Sequence, residues 1–360
     1  MVCRKMEFQL NTKLYQNIIK PLLFCLPPET AHKYAMEVLK YRYKFIDTPK
    51  PDTIVKGLPV ANKVGIAAGF DKDGEYIDTL AKLGFGYIEV GTVTPLPQPG
   101  NKKPRLHRFA DSESLVNSMG FNNSGVDVLI KNIRASRYTG TLGVNVGKNF
   151  NTPLHKAVDD YITCIERVYE YASYIVVNIS SPNTKDLREL QNGKYFRPLI
   201  DDLKTLMLSL DEEHNRHVPL FIKISPDEEL DVVQGIIEVL CEFDVEGIII
   251  ANTTISKDVK NSIGAKGIAG GVSGSPLKES SRKSLRLAKQ LSGDKLCVIS
   301  VGGIDSAEEA QYRLSLGADL IQLYTGLIYK GPQLLKDILA NKESSGLTGV
   351  EKIASLELSV

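Results

Sequence analysis

The feature that most constrains the fold is an alternation of short apolar segments with longer helix-like segments, which begins near residue 63. The apolar segments are rich in Val and Ile and nearly continuous, as expected of parallel strands that are covered on both faces. There are eight of them, at 63–69, 87–93, 142–147, 174–180, 219–225, 247–253, 297–303 and 320–326. Helical periodicity fills most of the intervals, as over 159–172, 228–243 and 306–318. Eight strand–helix units predict an α/β fold, a (β/α)8 TIM barrel, and a doubly wound sheet is the alternative.

The first 45 residues do not follow this alternation and predict an N-terminal amphipathic helical extension. Apolar residues recur at helical spacing on both sides of a Pro27–Pro28 corner, at Leu14, Ile18, Ile19, Leu22, Leu23, Tyr34, Ala35, Val38 and Leu39. Two such helices either pack onto the barrel as ordinary structure or form a patch that lies on a membrane or holds an apolar ligand. We therefore expect a helical segment over 1–45, a barrel over 46–341 and a weakly patterned tail over 342–360.

Composition argues against several classes of function. The chain has 44 basic and 43 acidic residues, a formal net charge of +1, so we expect no nucleic acid partner. The five cysteines are scattered without a CxxC pair, which favours a reduced cytoplasmic protein over a disulfide or zinc scaffold. No apolar run reaches about 18 residues and the N-terminus lacks a signal-peptide layout, so we expect neither a transmembrane helix nor a signal peptide. No obligate protein partner is evident.

Small, cationic and amide side chains collect where the predicted strands end, and in a (β/α)8 barrel that face carries the active site. Ala67, Ala68 and Gly69 leave room for a flat ligand, and Lys72 follows them as a fixed cation. Other strand ends carry amides, hydroxyls and two further lysines, namely Thr92, Asn145, Lys148, Lys223, Asn252, Thr253 and Thr254. The set suits a planar, electron-rich anion such as a flavin, whose reduced charge Lys223 would stabilise, and no metal is expected.

Glycines after the seventh and eighth strands indicate a phosphate group on that ligand. Gly302–Gly303 and Tyr324–Thr325–Gly326 occupy positions where such barrels commonly bind phosphate through backbone N–H groups. A second glycine-rich stretch, GIAGGVSG at 267–274, lies just upstream. The alternative is that these glycines serve tight turns that need a positive φ.

Nine motifs in a fixed order resemble one family. They are AAGFDKDG, EVGTVTPLPQPGN, NSMGFNN, NISSPNT, KISPD, ANTT, GGVSG, SVGGI and LYTGLIYKGP, and the resemblance extends from about residue 10 to about residue 340. Together they are similar to dihydroorotate dehydrogenase, the FMN enzyme of pyrimidine synthesis. Ser181 in NISSPNT lies where the membrane-associated, quinone-reducing class 2 enzymes have a serine base and the soluble class has a cysteine. The N-terminal helix pair is a second mark of class 2.

The resemblance implies a role for each matching residue. Ser181 is the catalytic base. The FMN contacts are Ala68, Gly69, Thr92, Asn145, Asn178 and Lys223, with Gly274, Gly303, Tyr324 and Thr325 on the phosphate side. The contacts to dihydroorotate or orotate are Lys72, Asn117, Met119, Gly120, Phe121, Asn178, Asn183, Asn252 and Thr253. A membrane quinone would enter between the N-terminal helices, which would hold the protein peripherally on the cytoplasmic face of the inner membrane. The candidates at the inner end of that tunnel are His32, Arg108 and Tyr15.

Some of these residues also have ordinary explanations. A serine hydroxyl is a poor base, so Ser181 needs a relay through water and Thr184 or another hydroxyl, and alone it is typical of a turn before proline. His32 by itself is equally typical of a helix-packing histidine. Two residues depart from the family pattern. Ala251 removes a hydroxyl near the flavin, and His107 replaces a phenylalanine beside the expected tunnel.

Two other functions are compatible with a barrel of this kind. The first is another FMN oxidoreductase, such as a dihydropyrimidine or tRNA-dihydrouridine enzyme, although the near-neutral charge argues against RNA binding. The second is a non-redox phosphate-binding barrel, either an isomerase or a ligand-binding protein. A flavin spectrum separates the second from the others, because a non-redox barrel would be colourless.

Overall fold

The protein folds around a closed barrel of eight parallel strands, here β1 to β8 in chain order. The computed structural model describes residues 12–43, 47–184 and 186–344. Each barrel strand pairs with its neighbours in this order and β8 pairs with β1, which closes the barrel. The strands are Val64–Ile66, Tyr87–Val93, Thr141–Val146, Tyr174–Asn178, Leu220–Lys223, Gly247–Ile250, Cys297–Val301 and Leu320–Leu323. The predicted (β/α)8 fold is confirmed, and the doubly wound sheet is excluded.

Amphipathic helices cover the outside of the barrel. They are Ile77–Lys82, Val126–Ala135, Ala157–Val168, Gly193–His214, Leu230–Glu242, Lys278–Ser292, Ala307–Ser315, Thr325–Lys330 and Gln333–Ser344. Short helices at Leu154–Lys156, Leu187–Gln191, Lys257–Ser262 and Ser275–Leu277 lie in the loops. Ser306 is the N-cap of helix Ala307–Ser315, since its Oγ accepts from the N–H of Glu309 at 3.2 Å. The carboxylate of Glu309 binds Arg282 and Arg313 instead of completing a capping box.

Most predicted strands extend beyond the observed ones at their C-terminal ends. The segment predicted over 174–180 ends at Asn178, and the one predicted over 320–326 ends at Leu323. Thr325 already begins the helix Thr325–Lys330. The reason is that the loops after these strands stay buried over the barrel mouth, so their sequences remain apolar or small after the strand pairing has stopped.

The N-terminal end of the barrel is closed by a hairpin of Thr53–Val55 and Leu58–Val60. Its side chains Val55, Leu58 and Val60 belong to one buried cluster with the large interior rings of Tyr87, Tyr174 and Phe221. These rings lie against glycines of neighbouring strands. A Cβ on Gly143, for example, would come within 2.1 Å of the Tyr174 ring. The interior is therefore packed at this end, and space for a ligand remains only toward the opposite end of the strands.

Two further elements surround the C-terminal end of the barrel. The first, here the cap sheet, is an antiparallel sheet of Leu106–Phe109, Ser114–Asn117 and Gly271–Gly274. The second is the N-terminal helix pair, a helical run from Thr12 to Phe24 that includes a π-helix at Tyr15–Ile19, and a helix at Pro28–Arg42. None of the described helices is both long and apolar enough to cross a membrane.

The predicted segment boundaries stay predictions. Residues 1–11 and 44–46 of the N-terminal segment and residues 345–360 of the predicted tail lie outside the described part of the chain. Helix Gln333–Ser344 continues past the predicted boundary at 341.

Candidate active site

One cavity of about 480 Å3 extends from between the two N-terminal helices to the barrel mouth. Its outer part is lined by apolar side chains of the helix pair, such as Ile19, Leu23 and Leu39. Its inner part is lined by residues from the C-terminal ends of the barrel strands and from the cap sheet. Every residue that the family resemblance implies for FMN, substrate, catalysis or quinone lines this cavity except Asn145, which lies beneath its floor with its side chain fully buried. Lys148, Thr184 and Thr254, which the sequence analysis also named, do not line it.

A network of amides and hydroxyls forms the cavity floor. Asn178, at the end of β4, donates from Nδ2 to Thr92 Oγ1 at 3.0 Å and to Asn145 Oδ1 at 3.2 Å. Thr92 Oγ1 donates to the same Asn145 oxygen at 2.6 Å. Asn145 therefore supports the two residues above it, and the structure gives it a place behind the cavity wall and not within it.

Ser180 extends this network and was not singled out from the sequence. Its Oγ donates to Asn178 Oδ1 at 3.0 Å and accepts from Asn252 Nδ2 at 2.9 Å. Ser180 thereby links Asn178 at the end of β4 to Asn252, which follows β6. The signal was present in NISSPNT, where Ser180 and Ser181 are adjacent, but both follow the end of β4 at Asn178, so only the conformation of the loop shows which serine joins the floor network.

The predicted substrate residues of the cap sheet and of the loop after β4 lie together. Asn183 Nδ2 donates to the backbone oxygen of Asn117 at 3.2 Å. Asn101, which the sequence analysis did not select, donates from Nδ2 to the carbonyls of Ser118 and Asn183 at 2.9 and 3.3 Å. The 119–121 loop and Thr253 also face the cavity. Amide groups therefore converge on one side of the cavity, as recognition of an imide edge requires.

Lys72 places a cation in the cavity wall. Its Nζ donates to the carbonyl oxygen of Gly69 at 2.8 Å, which holds the ammonium beside the end of β1. Burial lowers the pKa of Lys72, and the charges of Glu29, Asp73 and Asp71 oppose this shift. An ammonium that has lost part of its hydration and retains free N–H groups is suited to bind a carboxylate.

Ser181 is nearly fully buried and lines the cavity. Its Oγ accepts from the backbone N–H of Asn183 at 3.2 Å, and this bond leaves the hydroxyl proton free to be donated. Three residues further on, the hydroxyl of Thr184 is buried and has no hydrogen-bond partner among the described residues. The predicted relay partner is thus an unsatisfied group, which is the condition a water-linked proton path needs.

The predicted phosphate side is formed by loops that follow β6, β7 and β8. Gly274, Gly303 and Thr325 line the same part of the cavity, and Ser273 Oγ lies 2.8 Å from Thr325 Oγ1. Gly303 has φ +78° and a Cβ there would lie 2.8 Å from the backbone nitrogen of Lys278, so only glycine fits. The buried guanidinium of Arg313 holds this turn by donating to the Gly302 carbonyl at 2.9 Å.

The three candidates for the quinone end lie where the helix pair meets the barrel, and each of them already has a hydrogen-bond partner, which for His32 is the backbone of Phe70. Tyr15 donates its hydroxyl to the Ile328 carbonyl at 2.6 Å. Arg108 donates to the Leu23 carbonyl at 3.2 Å and lies over the Phe24 ring.

His32 packs edge-on against Phe70, with 5.0 Å between the ring centroids. Burial and the charge of Lys72 lower the pKa of His32 to about 4, so its ring is neutral at physiological pH. His107, which the sequence placed beside the tunnel, does not line the cavity, because Leu106 and Arg108 on the same strand occupy that face.

A buried carboxylate below the floor was missed by the sequence analysis. Glu89 on β2 is fully buried inside the barrel and accepts from Asn145 Nδ2 at 2.8 Å and from Gln322 Nε2 at 2.5 Å. The only sequence signal was an acidic residue inside the apolar run YIEVGTV. A charged residue in a strand that is otherwise apolar indicates a partner on other strands, which the sequence alone does not identify.

The cavity wall fits a flat ligand with several hydrogen-bonding atoms. Gln322 Oε1 and Asn122 Oδ1 belong to residues of this wall, and both are buried without a partner among the described residues. The backbone of Ala68 and Gly69 borders the cavity without a large side chain. A closed barrel with such a cavity at the C-terminal ends of its strands defines a (β/α)8-barrel enzyme.

Comparison with known proteins narrows this class to one family. The sequence model of the family "Dihydroorotate dehydrogenase" matches residues 52–344. A Legionella pneumophila protein named dihydroorotate dehydrogenase (quinone) is 46% identical over 93% of this chain and 99% of its own length. A protein of the same name from Acinetobacter baumannii is 47% identical over 89% and 97%. The crystal structure of ligand-free DHODH from Eimeria tenella superposes with a TM-score of 0.81 at 34% identity, covering 90% of this chain and 98% of the other.

The chain therefore belongs to the dihydroorotate dehydrogenase family, whose members are flavin-dependent oxidoreductases. The family resemblance stated from the nine sequence motifs is confirmed.

Proposed function

We propose that this protein is a quinone-dependent dihydroorotate dehydrogenase. It oxidises (S)-dihydroorotate to orotate with FMN as hydride acceptor and passes the electrons to a membrane quinone, within de novo pyrimidine synthesis. The observation that carries the proposal is the continuity of one cavity. An amide-rich pocket at the barrel mouth and an apolar slot between two helices are parts of the same space. An enzyme that oxidises a polar substrate and reduces an apolar one needs both environments close together.

The flavin would lie over the floor network. When bound, FMN supplies a two-electron acceptor at the centre of the cavity. Lys223 contributes a buried cation to the floor, and Gly303, Gly274 and Thr325 provide backbone and hydroxyl donors for a phosphate. The loss of a side-chain hydroxyl at Ala251 leaves the floor intact, because Asn252 and Ser180 continue the hydrogen-bond network there.

The substrate would lie between the cap sheet and the loop after β4. Lys72 binds its carboxylate, and Asn117, Asn183 and Asn252 offer amide groups to the pyrimidine edge. Ser181 removes the C5 proton, and the unpartnered hydroxyl of Thr184 provides the next group for that proton. These residues fix the ring in one orientation, and orientation is a large part of the rate advantage in such reactions.

The quinone would enter between the N-terminal helices, which would rest on the membrane. Large apolar side chains are exposed on this helix pair, namely Ile18, Leu22, Leu26, Tyr34, Val38 and Tyr41. An apolar surface of this kind on an amphipathic helix binds the interface of a bilayer without crossing it. The cytoplasmic face of the inner membrane is the proposed location, because the substrate is a cytoplasmic metabolite and the quinone is in the bilayer.

Two adjacent isoleucines allow the slot and the proposed membrane-binding surface to be tested independently. Ile19 lines the cavity, whereas Ile18 is about half exposed and does not. We expect Ile19→Gln to lower turnover with a water-soluble short-chain quinone in the absence of lipid, and Ile18→Gln to leave it unchanged. Ile18→Gln should instead weaken binding to vesicles of anionic phospholipid. Equal loss of soluble-quinone turnover in both variants would contradict the proposed path.

The cofactor and substrate are tested on the purified protein. We expect a flavin absorption spectrum, release of FMN on denaturation, identified by its mass, and bleaching of the spectrum by dihydroorotate but not by NADH or NADPH. A colourless protein that binds no FMN would refute the proposed cofactor. A flavin that NAD(P)H reduces and dihydroorotate does not would indicate a different barrel oxidoreductase.

A further inference from the structure

The carboxylate of Glu89 occupies the centre of the barrel directly below the cavity floor. It is fully buried and receives hydrogen bonds from Asn145 and Gln322, and a third from the Tyr174 hydroxyl at 3.2 Å. Lys223 Nζ lies 4.0 Å from its Oε1. These four partners come from β3, β8, β4 and β5. A carboxylate is very costly to bury, so its retention with four converging partners calls for an explanation beyond packing.

The first effect of Glu89 is on the orientation of two amides. A carboxylate only accepts hydrogen bonds, so Asn145 and Gln322 must both turn their NH2 groups toward it. The carbonyl oxygen of Asn145 then faces Thr92 and Asn178, whose hydrogen bonds it accepts. The carbonyl oxygen of Gln322 is left without a partner among the described residues, and Gln322 lines the cavity. The floor therefore offers an acceptor at this position and not a donor.

The second effect is on the charge of Lys223. Its side chain is almost fully buried, and burial lowers the pKa of Lys223 whereas the charge of Glu89 opposes the shift. At 4.0 Å the pair is an ion pair without a direct hydrogen bond, so the ammonium protons stay available to a ligand. Among the described residues, the other titratable groups in or against this layer are Tyr87, Tyr174, Cys297 and Tyr324, and burial raises the pKa of each. They are uncharged in neutral solution, which leaves Glu89 as the counter-ion.

We propose that Glu89 is a positioning residue that sets the polarity of the cavity floor. It keeps Lys223 as an ammonium and orients Asn145 and Gln322, so that the floor presents one cation and one carbonyl acceptor to the bound ligand. The ligand must then carry an electron-rich edge opposite Lys223 and an N–H or O–H group opposite Gln322. The inference rests on the proposed function for the choice of FMN as the probe.

The variant Glu89→Gln tests the orientation and the charge together. Its amide keeps the volume but donates where the carboxylate accepted, so one of the two amides must turn over, and Lys223 loses its counter-ion. We expect the dissociation constant of FMN, measured by quenching of flavin fluorescence on the apoprotein, to rise about tenfold or more. We also expect binding to weaken further as the pH rises, because the uncompensated lysine loses its proton at a lower pH than in the unaltered protein. Glu89→Asp, which keeps the charge, should retain the nearly pH-independent binding of the unaltered protein.

A second measurement does not need a flavin. Without Glu89 the pKa of Lys223 falls further below its unfolded value, so the unfolded state binds more protons and stability rises with pH. The free energy of unfolding of Glu89→Gln apoprotein should therefore increase more steeply with pH, up to the unfolded lysine pKa of about 10.4, than that of the unaltered apoprotein. If Glu89→Gln does not fold, Glu89→Gln combined with Lys223→Met should fold, because it removes both charges of the pair.

The outcomes separate the two proposals. Unchanged FMN affinity in Glu89→Gln at all pH values would overturn the positioning role, as would a double variant no more stable than Glu89→Gln. An equal loss of affinity at every pH in both Glu89→Gln and Glu89→Asp would indicate a merely structural carboxylate and would also overturn it. An unaltered protein that binds no FMN would refute the proposed cofactor, while the pH dependence of unfolding would still test the role of Glu89.

Discussion

The docking of the first N-terminal helix depends on a glycine far away in the sequence. Gly331 follows helix Thr325–Lys330 with φ +76° and ψ −174°, a backbone conformation that is essentially restricted to glycine. A Cβ at this position would lie 2.7 Å from Cγ and Cδ1 of Tyr15. Real Cβ contacts are not that short, so Gly331→Ala must push the Tyr15 ring away from the barrel.

The free energy that the docked helix loses can be worked out from the hydrogen bonds that this displacement breaks. Tyr15 donates to the Ile328 carbonyl at 2.6 Å and Gln16 donates to the Tyr329 carbonyl at 2.9 Å. Each such bond is worth about 0.5–1.5 kcal/mol net, so the docked state of the helix loses about 1–3 kcal/mol. That corresponds to a shift of about 5- to 150-fold in the docking equilibrium. The backbone strain of an alanine here costs about another 1–3 kcal/mol of global stability.

The assay compares the two half-reactions. If the helix pair forms the quinone slot, Gly331→Ala should lower kcat/KM for quinone in proportion to the docked fraction, by at most about 5- to 150-fold. Reduction of the flavin by dihydroorotate, measured in a single turnover, should stay unchanged because the floor network does not contact Gly331. Limited trypsin digestion should cleave sooner after Lys13, which precedes Leu14, and this readout does not depend on the proposed function.

Gly264→Ala is the matched control for this prediction. Gly264 also has a positive φ, +75°, but nothing lies within 4 Å of a Cβ built there. Gly264→Ala therefore carries the conformational strain of an alanine at positive φ, as Gly331→Ala does, but it causes no collision with Tyr15. If Gly331→Ala and Gly264→Ala gave the same quinone kinetics and the same digestion rate, the inferred dependence of helix docking on Gly331 would be refuted.

Three further predictions concern the site and its pH dependence. Ser181→Ala should slow flavin reduction by dihydroorotate by about 10²- to 10⁴-fold near neutral pH, with partial recovery at high pH through hydroxide, and near-normal rates at all pH values would remove its role as base. Burial and Lys72 lower the pKa of His32 to about 4, so stability is lost as the pH falls from 6.5 toward 4. His32→Gln should flatten that part of a denaturant-measured stability profile, and parallel profiles would contradict the assignment. Burial would raise the pKa of Glu29, but its hydrogen bond and ion pair with Arg105 outweigh this and lower it. Glu29→Gln should therefore cost about 1 kcal/mol of unfolding free energy at pH 7 and less below the lowered pKa, and a pH-independent cost would show that the charge is not responsible.

Local pattern in the sequence was sufficient for the fold and for most of the cavity lining. Runs of Val and Ile of strand length, separated by helical periodicity, have few solutions other than an eight-stranded barrel once eight of them are present. Polar residues at the ends of those runs, such as Lys72, Asn178 and Asn252, then share one face because parallel strands end together. Strand ends were less well predicted, because the loops over the barrel mouth are as buried as the strands they follow.

The residues that the sequence did not reveal are those whose partners are distant along the chain. Glu89 has its partners on four other strands, and Ser180 joins the end of β4 to Asn252 at the end of β6. Arg105 is similar, since it forms two hydrogen bonds with Glu29 of the second N-terminal helix at 3.0 Å. A single side chain carries no periodic signal, so its role depends on what the closed barrel brings next to it.

The amino-acid sequence by itself determined the barrel, the family and the set of polar residues at its mouth, because these follow from periodicity and from motifs that are local in the chain. Tertiary structure decided that Asn145 lies under the floor, that Tyr15 and Arg108 hold the helix pair in place, and that the apolar slot opens into the barrel cavity. Those facts depend on which strands and helices become neighbours when the barrel closes. Hydrogen bonds and van der Waals contacts act over only a few ångströms. They therefore depend on which residues are neighbours in space, and the sequence alone does not show those neighbours.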